Sequence, residues 1–167
     1  MGLFVMSNGN RQFLEKGAAS GWGEIEPDGR LHVPIELTVK LSWYRPKVSC
    51  EVVLECRERG AVLVHPGHRW KEIEDQLVAV LEEFPADGWR RIAIAYSVFH
   101  RAKFGQSNRR IHLTSAIIDH LGVPKPSRVH CLYYSDTLEI LSESKYTELC
   151  RVTHADVLLE LPADRMN

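Results

Sequence analysis

The chain has 167 residues, 44% of them hydrophobic, with 21 Lys and Arg against 22 Asp and Glu and a formal net charge of -1. That length and composition suit one ordinary core or two small interlocked ones, and exclude a disordered chain. The near-neutral balance excludes a generic basic nucleic-acid coat, so any nucleic-acid surface must be local.

The N-terminal "MGLFVMSNGN" has neither the basic nor the apolar segment of a secretion signal, and Met6 stands where a myristoylation signal requires Ser or Thr. No apolar run approaches the roughly 18 residues a membrane span needs. A cytoplasmic protein without membrane contact is expected, its residues 1–23 forming an N-terminal extension with no assigned role. "EIEPDGRLHVPIEL" (24–37) then gives a polar loop ending in Arg30, a short β segment and a helical turn. "KVSCEVVLECRE" alternates, with Val48, Cys50, Val52, Leu54 and Cys56 on one face and Val53 as the exception, which predicts a half-buried strand. "AVLVHP" predicts a second strand after an Arg59-Gly60 turn.

Trp70, Ile73, Leu77, Val80, Leu81 and Phe84 recur at helical spacing, with Pro85 and Asp87-Gly88 as the stop. Residues 89–104 read as a second helix, with Ile92, Ala95, Tyr96 and Phe99 on one side. "FGQSNRRIHL" opens another polar loop, and Thr114 or Ser115 caps a helix that stops at Gly122. Pro124 and Pro126 enforce extension before the strands "RVHCLYY" and "TLEIL".

These parts form an internal repeat. Arg30, Leu31, His32 and Val33 match Arg110, Ile111, His112 and Leu113, and Glu26 falls on Gln106, all 80 positions apart. Farther on, Val62, Val64, Trp70 and Glu72 match Leu138, Ile140, Tyr146 and Glu148, 76 positions apart. Each unit is too small to bury its own apolar faces, so the two should interlock. The expected division is a first unit at 24–84, a connecting helix at 85–103, a second unit at 104–150 and a tail at 151–167.

Cys50, Cys56, Cys131 and Cys150 include no CxxC pair and read as reduced thiols. His65 and His68 sit in a Pro-Gly turn with no acid or thiol at finger spacing, so no metal and no cofactor are expected. No nucleophile elbow, HExxH run, phosphate loop or paired-carboxylate arrangement points to an enzyme.

The order and spacing of "GRLHVP", "VLVHPGHRWKEIEDQL", "RRIAIAYSVFHRAKFGQSNRRIHL" and "DTLEILSESKYTEL" resemble the MraZ family of bacterial transcription regulators, over residues 24–150. The resemblance implies an α+β, mainly β fold of two tandem SpoVT-AbrB-type swapped-hairpin units forming one pseudo-twofold core, with helices after each unit. It also implies binding to repeated promoter boxes through DxxxR loops, assembly into rings of identical subunits, and a nucleoid-associated place in the cytoplasm. Carried over, the loops are Glu26 to Arg30 and Gln106 to Arg110, with Arg109 in the position that is usually Gly. Arg30, Arg109 and Arg110 are then the expected DNA contacts, and Glu26 and Gln106 replace the loop acids. His32 and His112 read as a packing pair, Trp70 and Tyr146 as core or subunit-interface residues, and Arg90, Arg91, Arg101 and Lys103 as a solvated face. The competing functions are an assembly protein that keeps the fold with decayed DNA loops, and an AbrB-like antitoxin, for which the C-terminal segment is short.

Overall fold

The computed structural model describes residues 17–45, 48–105 and 108–160. Strands β1 (Ala19–Ile25), β2 (Arg30–His32), β3 (Cys50–Cys56) and β4 (Ala61–Pro66) come from the first half of the chain. Strands β5 (Phe99–Phe104), β6 (Arg110–His112), β7 (Ser127–Tyr134) and β8 (Thr137–Leu141) come from the second. They close one antiparallel barrel in the order β1-β2-β6-β5-β3-β4-β8-β7, which leaves no free sheet edge. The helices are α1 (Ile35–Thr38), α2 (His68–Glu83), α3 (Pro85–Val98), α4 (Ser115–Leu121) and α5 (Glu143–Glu160). The chain is therefore a mixed α and β protein built on a closed eight-stranded barrel.

Exchanging β1 to β4 for β5 to β8 leaves the strand order around the barrel unchanged. In the β2/β6 ladder, Arg30 faces His112 and His32 faces Arg110 around a central Leu31 and Ile111 pair. In the β4/β8 ladder, Val62 faces Ile140 and Val64 faces Leu138. Each ladder thus holds a pair of residues together with its repeat-related image.

The interior of an eight-stranded barrel is just wide enough for side chains to fill it. Here Leu31, Val52, Leu54, Val62, Val64, Phe104, Ile111, Leu138 and Ile140 fill it, and Leu37, Ile117 and Leu121 pack onto them from α1 and α4. Thr114 caps α4 by accepting a hydrogen bond from the Ile117 N–H, and Gly122 ends the helix, both as the sequence predicts. Val53, the exception in the β3 alternation, is fully buried yet stands outside this interior cluster. It lies on the outer face of the barrel, where α2 crosses β3. Val48, predicted to share the buried face of β3, precedes the strand and is exposed.

Four expectations are corrected. Residues 19–25, assigned in part to an extension, are β1, which pairs with β7 at seven positions. Its inward positions before Ile25 are small, Ala19, Gly21 and Gly23, and a Cβ on Gly23 would sit 2.8 Å from the Cys131 Sγ, so the strand lacks the apolar alternation that reveals strands. Helix α3 begins at Pro85, where the expected division starts its connecting helix, and not at 89 as the 89–104 reading has it, because proline is well suited to the first helical turn as well as to ending the helix before it. It ends at Val98, where β5 takes over, pairing with β3 at six positions; the ladder overrides the helical spacing that ran to Phe99. The segment 151–160, read as tail, continues α5; residues 161–167 lie outside the described ones.

Phe104 is fully buried, with the Tyr44 ring 4.6 Å and the Trp43 ring 6.4 Å away, so it anchors the loop that covers this end of the barrel. Phe104→Ala is expected to lower stability by about 3–5 kcal/mol in a urea titration.

On the outer face, Arg128, Trp22, His130 and Tyr146 form one column. The Arg128 guanidinium lies 4.0 Å from the Trp22 ring centre, and His130 is 3.7 Å from Trp22 and 3.6 Å from Tyr146. Burial holds the His130 pKa below its ordinary 6.5; Glu143 opposes this and Arg128 reinforces it. The folded state therefore binds this proton less readily than the unfolded chain, so the stability linked to His130 is complete above the ordinary histidine range and is lost as pH falls below it. Between about pH 7 and 5, thermal melts of His130→Phe should show a smaller loss of stability than wild type.

Candidate nucleic-acid interface

The two arginine loops meet because β2 and β6 are neighbours in the barrel. Leu31 and Ile111 point inward and are fully buried, so period-2 alternation turns Arg30, His32, Arg110 and His112 outward onto one rim. Two further backbone bonds lock the loops reciprocally: the Leu113 N–H donates to the Gly29 carbonyl and the Val33 N–H to the Arg109 carbonyl. In the first loop the Arg30 N–H donates to Asp28 Oδ1, and in the second the Arg110 N–H donates to Asn108 Oδ1. The same turn is thus built twice, once around an acid and once around an amide.

Arg109 occupies the position of Gly29 and adopts its backbone: φ is +87° at Gly29 and +50° at Arg109. For a side chain other than glycine this left-handed conformation costs about 1 kcal/mol or more. It survives because the surrounding hydrogen bonds over-determine it.

The loops differ in length. Ile25 pairs with Leu31, whereas Phe104 pairs with Ile111, so the second loop holds one residue more than the first. The Glu26 N–H donates to the Arg30 carbonyl, and the corresponding bond to the Arg110 carbonyl comes from Gly105. By hydrogen bonding, the counterpart of Glu26 is therefore Gly105, not Gln106 as gapless alignment implies. Gln106 itself lies outside the described residues.

Electrostatically the rim is lopsided. Glu26 and Asp28 both belong to the first loop, while the second contributes Arg109 and Arg110 opposite Gly105 and Asn108. Arg30 is half exposed, its Nε 3.2 Å from Asp28 of its own loop. Arg110, expected to project outward, is only one-third exposed and donates to Glu26 of the other loop at 2.8 Å. Arg109 donates to His32 Nε2 at 3.4 Å, so His32 belongs to this cluster rather than to packing alone. The Nε atoms of Arg109 and Arg110 are out of contact with water and have no partner among the described residues. Burial pushes the Tyr44 hydroxyl pKa up, with Arg109 acting against it, which puts Arg109 at the edge of the aromatic cover over Phe104.

The other arginines follow their own partners. Arg101 grips Glu51 with both carboxylate oxygens at 3.0 Å and lies 5.7 Å from the Trp70 ring centre; Arg91 pairs with Asp87 at 2.8 Å. His65 Nε2 sits 2.6 Å from the Glu55 carboxylate. No group of three or more His, Cys, Asp or Glu among the described residues could hold a metal ion, and none of their helices is long and apolar enough to cross a membrane. Trp89, Ile94, Tyr96 and Phe84 leave the α2/α3 hairpin strongly apolar on its outside, where helical spacing put Phe84 and Tyr96 on apolar faces.

Arg109→Gly should fold at least as stably as wild type, because glycine adopts the left-handed backbone freely. Arg109→Val should lose about 1–2 kcal/mol, read in paired denaturant titrations.

No protein-family model matches the chain, and no curated protein matches it.

Proposed function

We propose that the protein is a homo-oligomeric, sequence-specific DNA-binding transcription regulator of the MraZ type. In this reading the barrel consists of two AbrB-like swapped-hairpin units about a pseudo-twofold axis, and the rim formed by the two arginine loops meets repeated promoter boxes. The observation that carries it is the β2/β6 ladder, which brings two arginine loops of one design side by side on a single outward face. Arginine suits such a face because its planar fork matches phosphates and guanine edges with two parallel hydrogen bonds.

A chain with net charge -1 gains little from counterion release, so useful affinity must come from several subunits acting on several boxes. The apolar outside of the α2/α3 hairpin, with Trp89 64% exposed, is the surface that neighbouring subunits would cover. A second reading, an assembly protein without DNA contact, draws on that same apolar hairpin and on the absence of an acid at Gly105.

Fluorescence anisotropy separates the two. The probe is a labelled duplex carrying tandem copies of the short repeat upstream of the protein's own gene, compared with a scrambled duplex. The regulator should bind the repeats more tightly, with an affinity that falls steeply with salt, and the Arg30→Ala, Arg109→Ala double variant should lose at least tenfold. Equal binding to both duplexes removes sequence specificity, and no binding by an assembled oligomer at low salt leaves the assembly reading.

A further inference from the structure

We propose that the two arginine loops have divided their work: Arg30 and Arg109 face the phosphates, whereas Arg110 is a positioning residue that holds the second loop against the first through Glu26. This rests on the DNA-binding reading above. A repeat with two equal units would give each loop arginine an acid in the opposite loop. Only one of the two can have it here, because Gly105 stands where Glu26 has its counterpart.

Three observations separate the arginines. Arg110 and Glu26 are each about one-third exposed and meet at 2.8 Å across the loops, so the Arg110 guanidinium already has a carboxylate partner. Turning that guanidinium toward a phosphate would strand the Glu26 carboxylate beside the DNA, a cost in both desolvation and repulsion. Arg30 has Asp28 of its own loop as its ion-pair partner, and both are half exposed. A surface pair of this kind contributes little and exchanges readily for a phosphate. Arg109 has no carboxylate partner among the described residues; its guanidinium donates to His32, and His32 is the residue opposite Arg110 in the ladder. The positive charge available to a ligand therefore comes from Arg30 on the first loop and Arg109 on the second, with the Glu26–Arg110 bridge setting the distance between them.

The Glu26→Gln, Arg110→Gln double variant removes the bridge without changing net charge. Its salt dependence on the tandem-repeat duplex should keep the wild-type slope of log affinity against log salt, with affinity lower by about tenfold from the loss of a positioned ion pair. Arg30→Gln should reduce the magnitude of that slope by about 0.9 for each subunit engaged on the duplex, the signature of one phosphate contact removed per subunit. The charge-swapped Glu26→Arg, Arg110→Glu variant should recover much of the affinity. A slope reduced in the Gln pair by as much as in Arg30→Gln, or a folded swap variant that stays as weak as Arg110→Glu alone, would overturn the assignment. Wild type that fails to bind any duplex sinks the DNA reading and the phosphate role together. The bridge is tested separately by thermal unfolding, where Glu26→Gln and Arg110→Gln should each lower the melting temperature and their effects should be less than additive; strict additivity would refute it.

Discussion

The three-residue ladder between β2 and β6 is the contact on which the rest of this structure depends. It is one of four ladders that join the two halves of the chain, with β1/β7, β3/β5 and β4/β8, and it is the one that carries the arginine loops. It also holds two polar loops within hydrogen-bonding distance, so that each loop carbonyl, at Gly29 and at Arg109, accepts from the first residue beyond the opposite strand. So short a ladder would be marginal alone. Its stability comes from Leu31 and Ile111, whose side chains are buried among those of all the other strands.

The two loops of the rim share a backbone design but not a charge pattern. The loops share a turn, a left-handed residue before the arginine and a pair of crossing backbone bonds. They do not share charge: one has two acids, and the other has an additional residue and two consecutive arginines. The shared backbone is set by the barrel, in which each half buries the other, whereas the side chains on the rim are outside that core. Arg109 shows this most directly, since it carries a long charged side chain on the left-handed backbone that Gly29 adopts in the first loop.

Much of this was legible in the sequence. Alternation in "KVSCEVVLECRE" and "TLEIL", the Thr114 cap and the Gly122 stop are local signals, and the repeat offsets of 80 and 76 positions anticipated the pairing of like strands. What escaped were elements whose evidence is not local. β1 has glycines facing inward because Cys131 and Leu31 occupy the space at Gly23 and Pro34 crowds Gly21, and β5 continues an apparent helix because β3 and β6 require a partner between them. The extra residue of the second loop was hidden for a related reason: similar arginine-led strands align without a gap, and only the strand register shows where the loop begins.

Side-chain types and their order by themselves determined a repeated pattern in which each half of the chain presents an arginine after a tight turn, and that no apolar run approaches the length of a membrane span. These follow from period, turn chemistry and hydropathy, which act over a few residues. Closure of the barrel, the outward apolar surface of the α2/α3 hairpin and the choice of Arg110 rather than Arg30 as the partner of Glu26 were decided by tertiary structure. Those outcomes depend on which residues, some 80 positions apart, are brought to within about 3 Å, and burial and ion pairing at that range have no counterpart in local sequence.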